Sequence, residues 1–259
     1  MKHIGKSYDK VDAKGILSGK PSYTGDFVPK DALIIKVLRS PHAQAKIKSI
    51  DTSKAKLIPG VEAIFTYEDV PNTRFTLAGQ TYPEPSAYDA LILDPVVRYV
   101  GDEVALVVAK DEATALKAMP LIKVEYEVQK SVLDLRTAMD HETVVHPEDD
   151  ILNHIPVGQD YKRNICVSYH KRVGDIEGEL AKCDYVVEGT YFDQATRQSA
   201  MEPFQSFGYI DHLGRIVIVS STQIVFHVRR HIARALGIPA SKIRVIKPRI
   251  GGGFGSKQT

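Results

Sequence analysis

The chain contains no tryptophan and has two cysteines and four methionines among its 259 residues. Cys166 and Cys183 are not arranged as Cys-x-x-Cys, so neither a disulfide framework nor a cysteine-ligated zinc or iron–sulfur site is encoded, and no metal ligand set is assigned. Long apolar runs are also missing. The longest, 104–109 and 216–219, fall far short of the ~20 residues that cross a bilayer, and no membrane contact is expected. The first nine residues carry charge without an apolar core, which excludes a visible secretory signal and makes the cytoplasm the expected compartment. An excess of one charge is absent too. Lys and Arg total 34 against 32 for Asp and Glu, a formal +2, which provides no broad cationic field and argues against a nucleic-acid partner.

What is present is ample core material. With 43% hydrophobic and 25% charged residues, the chain can build one large domain or two ordinary ones. Strands are predicted over 33–38, 47–50 and 61–66, with a helix starting at Asp51 or Ser53 and a break at Pro59-Gly60. Residues 71–95, rich in proline, read as a long surface loop available to a partner. A strand at 97–100, a turn at Gly101-Asp102, a buried strand at 103–109, a helix over 111–119 and a strand over 122–126 follow. The polar stretch 129–162 is the best domain boundary. Beyond it the sequence predicts strands at 164–169 and 185–192 around a helix at 175–183, then a hairpin of 204–210 and 215–220. A helix over 224–236, ended by Gly237 and Pro239, and a strand at 242–246 complete a mixed α/β (α+β) pattern.

The chain then reads Gly251-Gly252-Gly253-Phe254-Gly255-Ser256-Lys257-Gln258-Thr259. Four glycines directly after a strand describe a backbone that approaches something closely or takes positive φ; a tight structural turn needs one or two. Ser256 stands where both a Walker A loop and a G-x-G-x-x-G fingerprint require glycine, so a nucleotide-phosphate loop is excluded. On the helix 224–236, Ile224, Val228, Ile232, Ala235 and Leu236 form an apolar face, with His227, Arg230 and Arg234 placed opposite. His227 and His231 have the i, i+4 spacing of paired metal ligands, but the intervening arginines repel a cation and the Glu of H-E-x-x-H is missing, so a solvated or anion-facing stripe is expected. Ser221 or Thr222 is the expected N-cap of this helix. The remaining six histidines within the body of the chain, from His42 to His212, show no ligand spacing and read as surface residues. Glu202 reads as a capping or salt-bridging acid. No G-x-S-x-G elbow is present, and no catalytic residue is assigned.

Several of these features occur together in one known group. Ser40-Pro41-His42-Ala43, Pro59-Gly60-Val61, Glu68-Asp69-Val70-Pro71, the run from Val97 to Ala105, and Val124-Glu125-Tyr126-Glu127 resemble the α/β hammerhead domain of the xanthine dehydrogenase and aldehyde oxidase family. Met201-Glu202-Pro203, Ser220-Ser221-Thr222-Gln223 and Lys247-Pro248 leading into the glycine loop resemble the first part of its molybdopterin-binding domain. The resemblance implies an N-terminal arm at 1–28, a hammerhead domain at 29–130, a linker at 131–160 and a truncated molybdopterin-binding domain at 161–259. It also implies a molybdenum–pterin cofactor, with Gln223 hydrogen-bonding an oxygen ligand of the metal and Gly252, Gly253, Phe254 and Gly255 passing against its coordination sphere.

The implied reaction is hydroxylation of a purine, hypoxanthine or xanthine, with water-derived oxygen, electrons leaving through iron–sulfur centres to FAD on partner subunits or domains. An aldehyde or another N-heterocycle is the competing substrate class, and a non-catalytic binding module the competing non-enzyme reading. Gln258 stands where many purine-oxidising relatives carry a substrate-holding acid, and Gln198 where relatives often carry His. The family's glutamate base belongs to a far C-terminal region, so the resemblance implies a fragment or one piece of a multi-chain enzyme. Its expected partners are the C-terminal remainder, an iron–sulfur subunit and an FAD subunit, and the chain alone is expected to turn nothing over.

Overall fold

The computed structural model describes residues 3–77 and 81–258; positions 78–80 of the expected loop and the terminal Thr259 lie outside them. The first unit is organised by β5 (Glu103–Ala109), whose run of Val, Leu and Ala suits a strand covered on both sides. It is the centre of an antiparallel sheet of order β1-β5-β3, with β1 at Ile34–Arg39 and β3 at Val61–Phe65. Leu38 faces Ala105 across one pair and Ile64 faces Val107 across the other. A second antiparallel sheet has the order β4-β2-β6, with β2 at Ala45–Asp51, β4 at Val96–Val97 and β6 at Lys123–Val128. Leu38, Ile50 and Val124 pack against the buried clusters of both sheets, which joins them into one core.

Helix α3 (Glu112–Ala118) closes the first sheet. The Asp111 carboxylate accepts from the Thr114 N–H at 2.7 Å and caps it. Ala115 and Ala118 are fully buried, and the short side chains let the helix lie close to the strands. Pro120 follows in a 3₁₀ turn, where an α-helix cannot continue. Helices α1 (Ala13–Leu17) and α2 (Ser53–Lys56) are single turns.

The second unit holds the hairpin β7 (Ser206–Ile210) and β8 (Ile216–Ser220), turned by Asp211, whose Oδ1 accepts from the N–H groups of Leu213 and Arg215. A crossover through α5 (Val225–Leu236) brings β9 (Ile243–Ile246) parallel to β8, giving the order β7-β8-β9. Gly237, with φ of +65°, ends α5 as expected. The N-terminal segment reaches this unit. Tyr23 bridges Arg249, the Arg249 N–H donates to the Ser22 carbonyl at 2.9 Å, and Thr24 is fully buried.

Several expectations need correction. The 97–100 strand shrinks to Val96–Val97, and the 175–183 helix to α4 (Ile176–Leu180). The strand expected at 164–169 is a single bridge between Asp160 and Ile165 after a 3₁₀ turn. The strand expected at 185–192 does not form: Tyr185 is 90% exposed and Tyr191 92%, with no neighbouring strand among the described residues to take their backbone groups. Finally, 71–95 is not a surface loop. Thr76, Glu84, Tyr88 and Leu93 are buried, because the segment folds over α5: the Arg230 guanidinium donates to Glu84 Oε1 at 3.0 Å, and Arg234 donates to the Arg74 carbonyl.

The polar connection between the units is tied down by Arg98. Its guanidinium donates to Asp94 at 2.8 Å and to the Val145 carbonyl at 3.2 Å, and it pairs with Glu148. Burial pushes the Glu148 carboxyl up, but His146 and Arg98 beside it outweigh that and hold it at about 2.

Val107, fully buried at the centre of the first sheet, supplies a direct test of this core. Val107→Ala is expected to lower unfolding free energy by about 2–3 kcal/mol, the sum of lost transfer energy and a residual cavity. Urea titration followed by circular dichroism measures it; an unchanged midpoint would mean that β5 is not central.

Candidate functional site

Three segments far apart in sequence meet where β8 ends. After Ser220 the chain leaves the sheet, and the Ser221 hydroxyl and N–H both bond the Gln205 carbonyl. Thr222 Oγ1 accepts from the Ile224 N–H at 3.0 Å and donates to the Lys257 carbonyl at 3.2 Å. Neither residue caps α5 as expected; Ile224 occupies the cap position without a side-chain bond, since Ser221 and Thr222 are engaged elsewhere. Gln223 follows directly after them. Its backbone N–H donates to the Lys257 carbonyl at 2.6 Å, and its side-chain Oε1 accepts from the N–H of Gly255 at 3.0 Å and of Lys257 at 3.3 Å. Gln223 is thereby drawn onto the glycine loop by both backbone and side chain.

The glycines permit this approach. A Cβ at Gly253 would stand 2.7 Å from Gln223 Cδ, and one at Gly251 would stand 2.7 Å from Glu202 Cβ. Gly252 and Gly255 take φ of +100° and +89°, in the region that favours glycine. Phe254 takes φ of +48°, costly for an aromatic residue by about 1–3 kcal/mol, and its ring is 75% exposed. The N–H groups of Gly252, Gly253 and Phe254 have no acceptor among the described residues.

Beneath the loop lies a buried charge pair. Lys257 Nζ donates to Glu202 Oε2 at 2.9 Å and to the Glu202 carbonyl at 2.8 Å, and the Gly251 N–H donates to the same Oε2 at 2.8 Å. The Lys257 side chain is 1% exposed. Burial pushes the Glu202 carboxyl up, but the bonds from Gly251, Lys257 and Gln205 outweigh that and hold it below the usual carboxylate range. The salt-bridging role expected of Glu202 is met. The burial of Lys257 has no local signal at Lys257 itself; a carboxylate in the otherwise apolar run Met201 to Phe204 is the available one.

Gln223, Gly252, Gly253, Phe254 and Gly255 are therefore brought together. Gln258, half-buried beyond Lys257, takes no part in the bonds between Gln223 and the loop. The histidines of α5 require a correction. His227 and His231 are buried rather than solvated, because the 71–95 segment covers that face, while Arg230 is anion-facing toward Glu84 as expected. His42 is half-buried, edge-on to Tyr126. Both ring nitrogens of His231 lack a partner, and no cluster of three metal-ligating side chains occurs among the described residues.

With this geometry in place, comparison with known proteins is informative. Residues 18–130 match the family described as aldehyde oxidase and xanthine dehydrogenase, a/b hammerhead domain, and residues 157–259 match the molybdopterin cofactor-binding domain. The chain belongs to the aldehyde oxidase and xanthine dehydrogenase family: a hammerhead domain followed by the molybdopterin cofactor-binding region. It is similar to the probable hypoxanthine oxidase XdhD of Escherichia coli, 40% identical over 279 aligned positions that cover 98% of this chain and 29% of that protein. It is also similar to the putative xanthine dehydrogenase molybdenum-binding subunit XdhA of Escherichia coli, 35% identical over 96% of this chain and 32% of that one. Among solved structures, the aldehyde oxidoreductase from Desulfovibrio desulfuricans superposes with a TM-score of 0.82 at 25% identity, covering 98% of this chain and 28% of that one. The chain thus spans about a third of the length of these relatives.

The loop also fits the cofactor that this domain binds. Three backbone N–H groups of one glycine-rich loop have no acceptor among the described residues, the donor type that an anionic, oxygen-rich group takes. No helix among the described residues is long and apolar enough to cross a membrane.

His231 generates a pH prediction. Burial, with His227 and Arg230 close by, holds its pKa below the ordinary value despite the opposing charge of Glu84. The unfolded chain then binds more protons, so stability rises with pH and is lost as pH falls below about 6.5. His231→Leu is expected to flatten the decline in melting temperature between about pH 7.5 and 5.5; identical slopes for both proteins would show that His231 does not titrate on unfolding.

Proposed function

We propose that the chain forms the N-terminal portion of the molybdenum-binding subunit of a xanthine dehydrogenase-like hydroxylase acting on hypoxanthine or xanthine. The observation that carries this reading is the orientation of Gln223. Two backbone donors occupy its Oε1, which leaves its amide N–H₂ without an acceptor among the described residues. Gln223 Nε2 would donate to an oxygen ligand of the cofactor, and the backbone of Gly252, Gly253, Phe254 and Gly255 would hold it. When bound, the cofactor supplies a metal centre that accepts electrons as an electron-poor carbon is hydroxylated with oxygen from water.

The chain's own residues bind and orient. The glycine loop holds its N–H groups in place before any ligand arrives, so little reorganisation accompanies binding. The Phe254 ring, projecting from a left-handed backbone, offers an apolar face to a flat substrate. Gln258, an amide that both donates and accepts, meets the mixed edge of a purine on the substrate side. The glutamate base comes from outside residues 1–259, electrons leave through iron–sulfur and FAD partners, and the chain alone is inactive. The domain limits 1–28, 29–130, 131–160 and 161–259 and a cytoplasmic location belong to the same reading. A second reading, an aldehyde or other N-heterocycle as substrate, is supported by the amide at Gln258 in place of an acid and by the likeness to an aldehyde oxidoreductase.

In the assembled enzyme, Gln223→Ala is expected to lower kcat by about 10²-fold, the usual loss for one donor aimed at developing charge. Gln258→Ala is expected to raise KM for xanthine by about tenfold, one lost hydrogen bond, with a smaller change for an aldehyde. Dye reduction with xanthine, hypoxanthine and benzaldehyde decides the substrate class; turnover of an aldehyde alone would favour the second reading, and turnover by the isolated chain would overturn the inactive-fragment claim.

A further inference from the structure

We infer that the buried Glu202–Lys257 pair is a positioning clamp that holds the glycine loop at both ends and thereby favours the oxygen end of the Gln223 amide facing the loop. The inference rests on the cofactor reading above and deepens it. A single oxygen, Glu202 Oε2, receives the Gly251 N–H at 2.8 Å and the Lys257 ammonium at 2.9 Å, so the first and last residues of the loop are tied to one atom. The tie is doubled through the main chain: the Glu202 N–H donates to the Gly251 carbonyl at 3.1 Å, and the ammonium donates to the Glu202 carbonyl at 2.8 Å. Gln205 Nε2 donates to the other carboxylate oxygen at 3.3 Å.

The loop restrains itself only at one turn, where the Ser256 N–H and hydroxyl donate to the Gly253 carbonyl at 2.8 and 2.7 Å. Gly251, Gly252, Gly253 and Gly255 have no side chains to pack, and glycine has the largest backbone freedom to lose. The Phe254 ring points to solvent. Beyond one turn at Gly253 and the Gly255 N–H on Gln223 Oε1, what holds the loop is the polar anchorage at its two ends, and the Lys257 end bears directly on Gln223. Lys257 supplies one of the two N–H donors to Gln223 Oε1, and its carbonyl accepts from both the Gln223 N–H and Thr222 Oγ1. Only the oxygen end of an amide accepts from N–H groups. With Lys257 in place two N–H donors hold the oxygen toward the loop; with Lys257 released only the Gly255 N–H remains to do so, and the preference for that end weakens.

A clamp and a merely stabilising ion pair make different demands on a double substitution. Replacing a buried pair with apolar and neutral groups of similar size often leaves stability unchanged, whereas removing one partner strands a buried charge. In the assembled enzyme, Glu202→Gln is therefore expected to lower the melting temperature, and Glu202→Gln with Lys257→Met to recover most of it. The recovered double variant is nonetheless expected to exchange the amide hydrogens of 251–257 about tenfold faster than wild type, measured by mass spectrometry. Its molybdenum paramagnetic resonance signal is expected to change in the same direction as that of Gln223→Ala. Loop exchange and a molybdenum signal both equal to wild type in the double variant would overturn the clamp. Should that variant fail to fold, Glu202→Asp retains the charge but withdraws the carboxylate by one methylene; accelerated loop exchange in Glu202→Asp supports the clamp, and wild-type exchange overturns it. A wild-type enzyme without molybdenum would overturn the cofactor reading instead, and loop exchange, which needs no metal, would still decide the clamp.

Discussion

A lysine ammonium that is 1% exposed cannot remain charged without a partner, and the partner here is the carboxylate of Glu202, more than 50 positions earlier in the chain. That requirement brings the 200–205 segment under the glycine loop. From there the rest follows by short bonds: Gly251 onto the same carboxylate, Gln205 onto both Glu202 and Ser221, and the Lys257 backbone onto Thr222 and Gln223. Three strand or helix ends that would otherwise only be neighbours become one structure. The glycines are the complementary constraint, since at 251 and 253 a single added carbon would collide with Glu202 or Gln223.

The two units depend on each other through a similar logic of polar groups that must be satisfied on burial. Glu84 is buried against α5, where Arg230 and the Tyr88 hydroxyl both donate to it. The guanidinium of Arg234 stacks over the Tyr88 ring at 5.1 Å and bonds the Arg74 carbonyl, so the helix face away from its own sheet is covered by the first unit. Arg98 draws the connecting segment onto the first unit through Glu148 and Val145. The N-terminal segment closes the arrangement from the other side at Arg249, two residues before the glycine loop. The platform that carries the loop is thus assembled from both units.

Much of this was legible in the residues. The Val- and Ala-rich run of β5, the helix after it, the Asp211–Gly214 turn and the Gly237 stop are local signals, each acting within a few residues, and each appears close to its expected place. The run of four glycines pointed to a close approach, and Gln223 is what it approaches. The misreadings share one cause. Residues 185–192 have strand composition, but a strand forms only where a neighbour takes its hydrogen bonds, and composition does not report neighbours. The segment 71–95 looked like solvent-facing loop because its proline content excludes regular structure; irregular backbone can still be buried when side chains such as Glu84 find partners. The stripe of His227 and His231 reads as solvated or anion-facing from the helical wheel, which knows one covered face and not two.

The sequence by itself determined the order of β5, α3, β7, β8, α5 and β9, the glycine loop after β9 and the family to which the chain belongs, because these rest on local propensity and on contiguous motifs. Only the tertiary structure decided that Lys257 is buried, that Glu202 holds both ends of the loop, and that the Gln223 oxygen is spoken for while its N–H₂ has no acceptor among the described residues. The physical reason is distance along the chain: a hydrogen bond between residues 202 and 257, or 223 and 255, depends on where β8, α5 and β9 place their ends, and no local pattern encodes that placement.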